Sequence, residues 1–429
     1  MADQGGYSQH GIARTSRVRT EEQRQRDLDR IAKYRNLEDQ VRQRVAASDY
    51  SPETFRLTSA LLKLNPEYYT IWNARRRCLI SSSFSKQPSG SSHSKASSNT
   101  FPTATTRGSS TASSSAPSAT TPPSQASPTA GTSGTTAEEA THNDRSDAES
   151  EAHDFSIIRS ELTFTIPLLL ESPKCYWIWS YRLWILQQAI SRLPAARARA
   201  VWEEELRLAS RMLDKDRRNF HAWGYRRHVV AQLESPVLNG KSMAEAEFAY
   251  TTAMIHKDLS NFSAWHSRAK LIPCLLDERG ADDAARRAFL DAELNQTREA
   301  LNVGPEDQSL WYYHQYLILN IVRPSQHPAM APHFSTTDRI AYLERELDEV
   351  RSLLEDYDDV QLVYEALFEY TLFLCELRRG NAKEGKIGEE EKKDLVEWLG
   401  RLKGLDPMRR GRWADLEREL GLEEGPGSR

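Results

Sequence analysis

The sequence predicts an all-α fold built from stacked helix pairs, and three observations support this prediction. Alternation of β-branched residues over strand lengths is scarce. Apolar residues recur at helical spacing, as at Leu57, Leu61 and Leu64. A segment centred on tryptophan returns five times. Because one helix pair cannot cover its own apolar face, the pairs are expected to share a continuous core and curve into a superhelix.

The N-terminal part, residues 1–49, is rich in arginine between Arg14 and Arg44. These arginines alternate with acidic residues such as Glu21, Glu38 and Asp39. A solvated amphipathic helix is therefore expected here, rather than a nucleic-acid or membrane patch.

Residues 50–80 form the first predicted repeat, and residues 81–153 the predicted insertion. Of the fifty residues 81–130, 18 are Ser and 8 are Thr. Such a segment cannot bury enough apolar area to offset the entropy of ordering it, so we expect a disordered insertion. Whether it is a phosphorylated tether or a tolerated loop expansion is left open by the sequence.

The tryptophan-centred segments define the repeats, of which the second to fifth occupy residues 154–323. Successive tryptophans lie 107, 44, 42 and 46 residues apart, and the first interval falls to the mid-thirties once the insertion is removed. The fifth segment is weaker, with Gln315 where a basic residue is usual. The tryptophans are Trp72, Trp179, Trp223, Trp265 and Trp311.

Each of the first four repeats carries a stripe along one side of a helix: an aromatic residue three before the tryptophan and an arginine three after it. We expect this stripe to pack on the neighbouring pair, with the arginines bound to acidic residues or helix C-termini of adjacent repeats. The aromatic residues are Tyr69, Tyr176, Phe220 and Phe262, and the arginines are Arg75, Arg182, Arg226 and Arg268.

After a predicted loop at 324–336, C-terminal helices are expected within residues 337–420 and a flexible tail at 421–429. The composition restricts function further. The chain has 57 Lys and Arg against 61 Asp and Glu, a formal charge of −4, which argues against bulk attraction to nucleic acid. Four dispersed cysteines give no zinc knuckle, and no run of about 18 apolar residues predicts a transmembrane segment. A reducing, cytoplasmic location is expected.

The repeated N-P or S-P, x-x-Y-x-x-W-x-x-R pattern resembles the repeat of protein prenyltransferase α subunits. The resemblance implies a right-handed crescent of helical hairpins that wraps a separate β subunit, which carries the zinc and most of the isoprenoid pocket. The segments 10–23, 218–227 and 260–268 are most similar to the type II branch of the family. That branch transfers geranylgeranyl from geranylgeranyl diphosphate to C-terminal cysteines of Rab GTPases presented by an escort protein.

The resemblance also implies candidate site residues. Pro173, Lys174 and Tyr176 match the family's P-K-x-Y motif, whose lysine and tyrosine reach the diphosphate, and we predict these two as the catalytic groups. Asn219 and His221 at the equivalent turn of the next repeat are predicted on the diphosphate and substrate side. His10 resembles a histidine that reaches the active site from the N-terminus.

Several alternatives stay open at this point. Lys174 could be an ordinary solvated turn residue, and Tyr176 and His221 could be structural. At the level of the whole chain, the rivals are an α subunit of the farnesyl and type I geranylgeranyl enzymes, acting on C-a-a-X proteins, and a non-enzymatic helical-repeat scaffold.

Overall fold

The computed structural model describes residues 20–85, 137–323, 330, 333–380 and 387–422. Within these ranges every regular element is helical, and no strand occurs, which confirms the predicted all-α class. The α-helices are α1 Glu21–Ala46, α2 Pro52–Leu64, α3 Tyr69–Cys78, α4 Ala137–Glu171, α5 Tyr176–Arg192, α6 Ala195–Lys215, α7 Phe220–Leu233, α8 Ala244–Lys257, α9 Phe262–Glu278, α10 Asp283–Val303, α11 Gln308–Val322, α12 Thr336–Ser352, α13 Gln361–Arg379, α14 Glu389–Leu405 and α15 Arg410–Glu419.

Helix starts follow local capping signals. Thr20 and Gln23 form a capping box at the start of α1, in which each side chain accepts from the other's backbone N–H, at 3.3 and 3.2 Å. Val41 is the one buried residue among those of α1, so this helix is solvated over most of its length, as predicted. Ser51 caps α2, and Pro52 stands at its first position, where the missing N–H costs nothing.

The chain divides into two compact units, one ending at Pro194 and one starting at Ala195. In the first unit α2 packs on α3, α4 packs on α5, and the second helices of adjacent repeats, α3 and α5, also pack on each other. In the second unit the pairs are α6 with α7, α8 with α9, α10 with α11 and α12 with α13. There α11 also packs on α9 and α13, and α14 and α15 follow. This pairing is the stacking of helix pairs that the repeats predict.

The tryptophans form the centre of each repeat's core. All five are buried, and each indole N–H donates to the backbone carbonyl six residues earlier, at 2.6–2.9 Å. One side chain therefore fills the space between two helices and also fixes the turn that precedes its own helix. The donor–acceptor pairs are Trp72 with Pro66, Trp179 with Pro173, Trp223 with Arg217, Trp265 with Leu259 and Trp311 with Pro305.

The two ends of the predicted insertion meet in the first unit. Ser85 N–H donates to Asp154 Oδ1 at 2.8 Å, and the Ser85 hydroxyl donates to the Ser150 carbonyl at 3.4 Å. Arg192 donates to the Ser85 carbonyl at 3.0 Å and to Asp154 at 3.2 Å, with its guanidinium 4.2 Å above the buried Phe84 ring. We call Phe84, Ser85, Ser150, Asp154 and Arg192 the insertion clamp.

The clamp changes the boundaries expected for the insertion, 81–153. The described chain continues to Ser85, after a π-helical turn over Leu79–Ser83, and it resumes in α4, which begins at Ala137. The ordered repeats therefore extend into both ends of the predicted insertion, because Phe84 and Asp154 find buried partners that composition does not reveal. Residues 86–136 lie outside the described part of the chain, as do residues 1–19, with His10, and most of the predicted tail.

Candidate functional site

The predicted catalytic pair lies in the turn between α4 and α5. Lys174 is exposed, two residues before the first residue of α5, Tyr176. Tyr176 is half-buried, and its ring meets the Trp177 ring edge-on with centroids 5.2 Å apart. The indole N–H of Trp179 donates to the Pro173 carbonyl at 2.9 Å, and this bond fixes the turn. The structure thus brings Lys174 and Tyr176 together at one helix N-terminus, which is a favourable place for an anion.

The second predicted pair lies at the start of α7. Asn219 is buried, and its Oδ1 accepts from the backbone N–H groups of His221 at 3.0 Å and Ala222 at 3.3 Å. It is therefore the N-cap of α7, a structural role that the substrate-side prediction did not include. His221 is half-buried, with its ring 4.0 Å from the exposed Phe220 ring.

The repeat stripe is buried only in part. The tryptophans and arginines are buried, but three of the four aromatic residues three positions earlier are exposed. Tyr69, Phe220 and Phe262 keep 53%, 67% and 50% of their accessible surface. These side chains form an outer apolar flank of the repeats and contribute little to the core.

Three of the four buried arginines pair with acidic residues of the following repeat, as predicted, and Arg182 donates to the Leu162 carbonyl and the Thr165 hydroxyl. Arg226 binds Glu247 through two N–H···O bonds of 2.8 and 2.6 Å. Arg268 binds Glu293 in the same way, at 2.7 and 2.6 Å. In the first unit Arg75 contacts both oxygens of Glu161 at 2.7 Å. Each pair is almost fully buried, so it links consecutive repeats through a charge-assisted, bidentate contact.

The glutamates of these three pairs were not predicted from the sequence, and neither was Glu205 at the same position of the third repeat, although their spacing could have revealed them. Each stands 18 residues before the tryptophan of its own repeat. Three of them also accept from the tyrosine two residues after that tryptophan, at 2.5–2.6 Å. The glutamates are Glu161, Glu205, Glu247 and Glu293, and the tyrosine donors are Tyr181 to Glu161, Tyr225 to Glu205 and Tyr313 to Glu293.

The fifth repeat keeps this arrangement with a different residue. His314, three residues after Trp311, takes the arginine's place, so the departure from the pattern lies there and not at Gln315. Its Nε2 lies 3.3 Å from Glu346 Oε2, and its Nδ1 lies 2.8 Å from the Tyr370 hydroxyl, all three side chains being buried. Gln315 instead donates to Glu369 at 2.5 Å.

The α12–α13 pair has the geometry of a sixth repeat. Tyr364 stands 18 residues after Glu346, where a tryptophan would stand, and its hydroxyl donates to the Asp358 carbonyl, six residues earlier, at 2.8 Å. The repeat pattern therefore continues past Trp311 after the tryptophan signal has been lost.

The cysteines are poor metal ligands in this environment. Burial raises the pKa of the Cys78 and Cys175 thiols to about 11, and it also raises the pKa of Cys375. A hydrogen bond to Glu278 raises the pKa of the exposed Cys274 thiol. Since the thiolate is the form that binds zinc, these environments disfavour coordination. In the parts of the chain that the structure covers, no three His, Cys, Asp or Glu side chains are grouped so that they could hold a metal ion.

Among the described helices, none has the length and apolar character needed to cross a membrane.

Comparison with known proteins identifies the class. The family model of the protein prenyltransferase alpha subunit repeat matches residues 51–81, 158–189, 202–233, 244–275 and 290–321. These segments are the five tryptophan-centred repeats, and the chain belongs to the protein prenyltransferase α-subunit family.

Its curated relatives define the branch. The chain is 27% identical over 421 residues to a Schizosaccharomyces pombe protein named geranylgeranyl transferase type-2 subunit alpha, covering 96% of this chain and 98% of that one. It is 28% identical to the Saccharomyces cerevisiae protein of the same name, covering 72% of each. The match to the Candida albicans protein of that name is 29% identical and covers 55% of this chain, but less than half, 46%, of the relative. The predicted resemblance to type II α subunits is thereby confirmed.

A solved structure shares the fold. It is a chain of the Candida albicans protein geranylgeranyltransferase-I complexed with GGPP, with a TM-score of 0.53, 16% sequence identity and 91% of each chain covered. At this identity the likeness concerns the fold alone.

Proposed function

We propose that this chain is the α subunit of a heterodimeric type II protein geranylgeranyltransferase. With a zinc-bearing β subunit and an escort protein, it transfers geranylgeranyl from geranylgeranyl diphosphate to C-terminal cysteines of Rab GTPases in the cytoplasm. The observation that carries the proposal is the relation over almost the full length of both chains to a type-2 α subunit. The turn with Pro173, Lys174 and Tyr176, which matches the family's P-K-x-Y motif, supports it.

The reaction joins the cysteine sulfur to C1 of the isoprenoid. The thiolate attacks C1, the C1–O bond breaks, and the electron pair leaves with the diphosphate. Cations near that leaving group stabilise the negative charge as it develops. Lys174, exposed at the N-terminus of α5, supplies such a point charge, and Tyr176 donates a hydrogen bond from the same turn.

The turn at the start of α7 has a supporting role in this proposal. His221 offers a ring N–H toward the substrate side. Asn219 acts on it as a positioning residue, because its buried Oδ1 holds the backbone N–H of His221 at 3.0 Å. The proposed reaction therefore uses His221 directly and Asn219 through the geometry of the cap.

The zinc belongs, in this proposal, to the β subunit. When bound there, it lowers the pKa of the substrate thiol so that the thiolate forms near neutral pH. The pKa values of the Cys78 and Cys175 thiols are raised to about 11, which supports placing the zinc ligands in the β subunit and not in this chain.

Co-expression with candidate β subunits tests the proposal. The chain is paired separately with type I and type II β subunits, and labelled geranylgeranyl transfer is measured to a Rab with escort protein and to a C-a-a-X protein. We expect stable pairing with the type II β subunit and labelling of the Rab. Pairing with the type I β subunit and labelling of the C-a-a-X protein would favour the close rival. Pairing with neither would favour the helical-repeat scaffold.

A lysine variant tests the site. Lys174→Ala in the assembled heterodimer should lower the single-turnover rate by about 10²-fold, the usual scale for losing one group that stabilises a leaving charge, with assembly unchanged. The matched control is Lys63→Ala, which removes an exposed lysine of the same unit from the last turn of α2. Equal rates for the two variants would exclude the role of Lys174.

A further inference from the structure

A cleft opens between α9 and α11, the second helices of the fourth and fifth repeats, within the second unit. Its volume is about 250 Å³. The floor is formed by two buried aromatic rings, those of Trp265 and Tyr313. The remaining lining side chains, which we call the walls, come from both helices and include Phe262, His266, Tyr312 and Tyr316.

The cleft is preformed. The Phe262 ring stacks on His266 with centroids 5.9 Å apart, and it meets Tyr312 edge-on at 6.1 Å. The Tyr316 hydroxyl donates to the Ala269 carbonyl at 2.9 Å, which ties α11 to α9. A partner that enters this cleft therefore meets side chains that are already held in place, so little ordering entropy is lost.

Its size selects the kind of occupant. Sites for small molecules enclose roughly 300–1,000 Å³, and this cleft lies below that range. A single large side chain inserted from a protein surface fits better. Anchors of this type, seated in aromatic pockets, dominate the affinity of many protein interfaces. Phe262 and Tyr312, both about half exposed, supply apolar surface around the opening.

Charged residues near the cleft indicate which residues should flank the inserted side chain on the partner's surface. Arg227 on α7 and Lys270 on α9 are exposed, and after burial itself they are the groups that lower the pKa of His266. The sequences of α7 and α11 contain no Asp or Glu, and those of α9, Asp277 and Glu278, stand in its last turn. Arg227 and Lys270 therefore place two positive charges near His266, on one wall of the cleft.

We propose that this cleft is the anchor site for one aromatic or large aliphatic side chain, presented by the partner subunit within an acidic segment of its surface. The inference rests on the proposed function, in which the partner is the type II β subunit. Carboxylates flanking the anchor pair with Arg227 and Lys270, which steers the association and fixes the register of the two surfaces.

The test measures binding of the full-length chain to the type II β subunit, as a dissociation constant at several salt concentrations. Tyr312→Ala removes one wall, and the double variant Arg227→Glu/Lys270→Glu reverses the flanking charge. Matched controls of the same unit are Val303→Ala, at a 76% exposed apolar residue, and Lys241→Glu, at an exposed lysine. Thermal unfolding of each isolated variant checks that it is folded.

We expect Tyr312→Ala and the double variant each to weaken binding by about tenfold or more, with a flatter salt dependence for the double variant and no change for the controls. If wild type binds and supports Rab labelling while both cleft variants bind like the controls, the cleft inference is overturned and the proposed function stands. A weakening by charge reversal alone would also contradict the anchor. A wild-type chain that does not bind the β subunit would overturn both proposals.

Discussion

The buried pair Arg268–Glu293 makes the linkage between repeats testable. The guanidinium makes two N–H···O bonds of 2.7 and 2.6 Å to the carboxylate, donates to Thr252 Oγ1 at 2.7 Å, and lies 3.8 Å from the centroid of the Phe248 ring. Both charged side chains are about 95% buried, at 4% and 5% exposure. Glu293→Gln keeps the shape of the side chain but leaves the arginine without its counter-charge. Because the buried Arg268 guanidinium cannot be solvated, the full cost of its uncompensated charge should lower the free energy of unfolding.

The expected loss is large. Removing one partner of a buried ion pair costs about 3–5 kcal/mol. For a unit of this size, each kcal/mol shifts the thermal midpoint by about 2–4 °C, so Glu293→Gln should lower it by roughly 6–20 °C. A surface pair supplies the control: Arg279 and Glu245 have the same bidentate geometry, at 2.6 and 2.8 Å, but both are exposed. Glu245→Gln should leave the midpoint unchanged, since exposed pairs contribute little.

Circular dichroism melts and urea unfolding of the full chain measure the effect. A second variant separates the ion pair from packing: Arg268→Met/Glu293→Leu/Tyr313→Phe replaces the whole buried polar group with apolar side chains. It should recover most of the loss, because the charges and the tyrosine donor disappear together. If Glu293→Gln and Glu245→Gln shifted the midpoint equally, burial would not decide the contribution of these pairs, and the reasoning would fail.

Three further predictions concern other parts of the chain. Arg192→Ala should speed proteolysis near the insertion clamp while leaving the thermal midpoint of the second unit unchanged, as limited digestion and calorimetry can show. Hydrogen bonds from Arg287 and Ser335 lower the pKa of Asp338. The carboxylate therefore stabilises the start of α12 above pH about 4, and this stabilisation is lost as the pH falls further. In Asp338→Asn, amide exchange in α12 should lose this acid dependence. Trp179→Phe keeps an aromatic side chain but removes the five-membered ring and with it the N–H donated to Pro173. This should lower the single-turnover rate through Lys174 without preventing assembly, and normal kinetics would contradict a role of that bond in holding the turn.

Sequence periodicity alone determined the architecture. The tryptophans recur at similar intervals because each must fill the same space between two helices, and the same packing demand produces the same residue in five repeats. The arginine three positions later was readable for the same reason, and so was its need for an acidic partner. The candidate turn of Lys174 and Tyr176 came from a motif, and the structure places both residues at one helix start.

Tertiary structure decided what periodicity leaves ambiguous. The residues three before and three after a tryptophan lie about 60° to either side of it around the helix, so spacing cannot tell which flank meets the next repeat. The arginine flank is buried there, whereas Phe220 and Phe262 of the aromatic flank keep half or more of their surface exposed. Glu247 and Glu293, each 18 residues before the tryptophan of its repeat, belong to another helix, and only the fold brings them to the preceding repeat's arginine.

The ends of the insertion show the same limit. Composition describes a segment by its average, and the average of residues 81–153 is polar and rich in hydroxyls. Phe84 lies within this segment and Asp154 directly follows it. Both are buried because Arg192, more than thirty residues further along the chain, stacks on the Phe84 ring and binds the Asp154 carboxylate. A local pattern can fix the type and number of helices, but contacts between residues far apart in the chain exist only once the helices have packed.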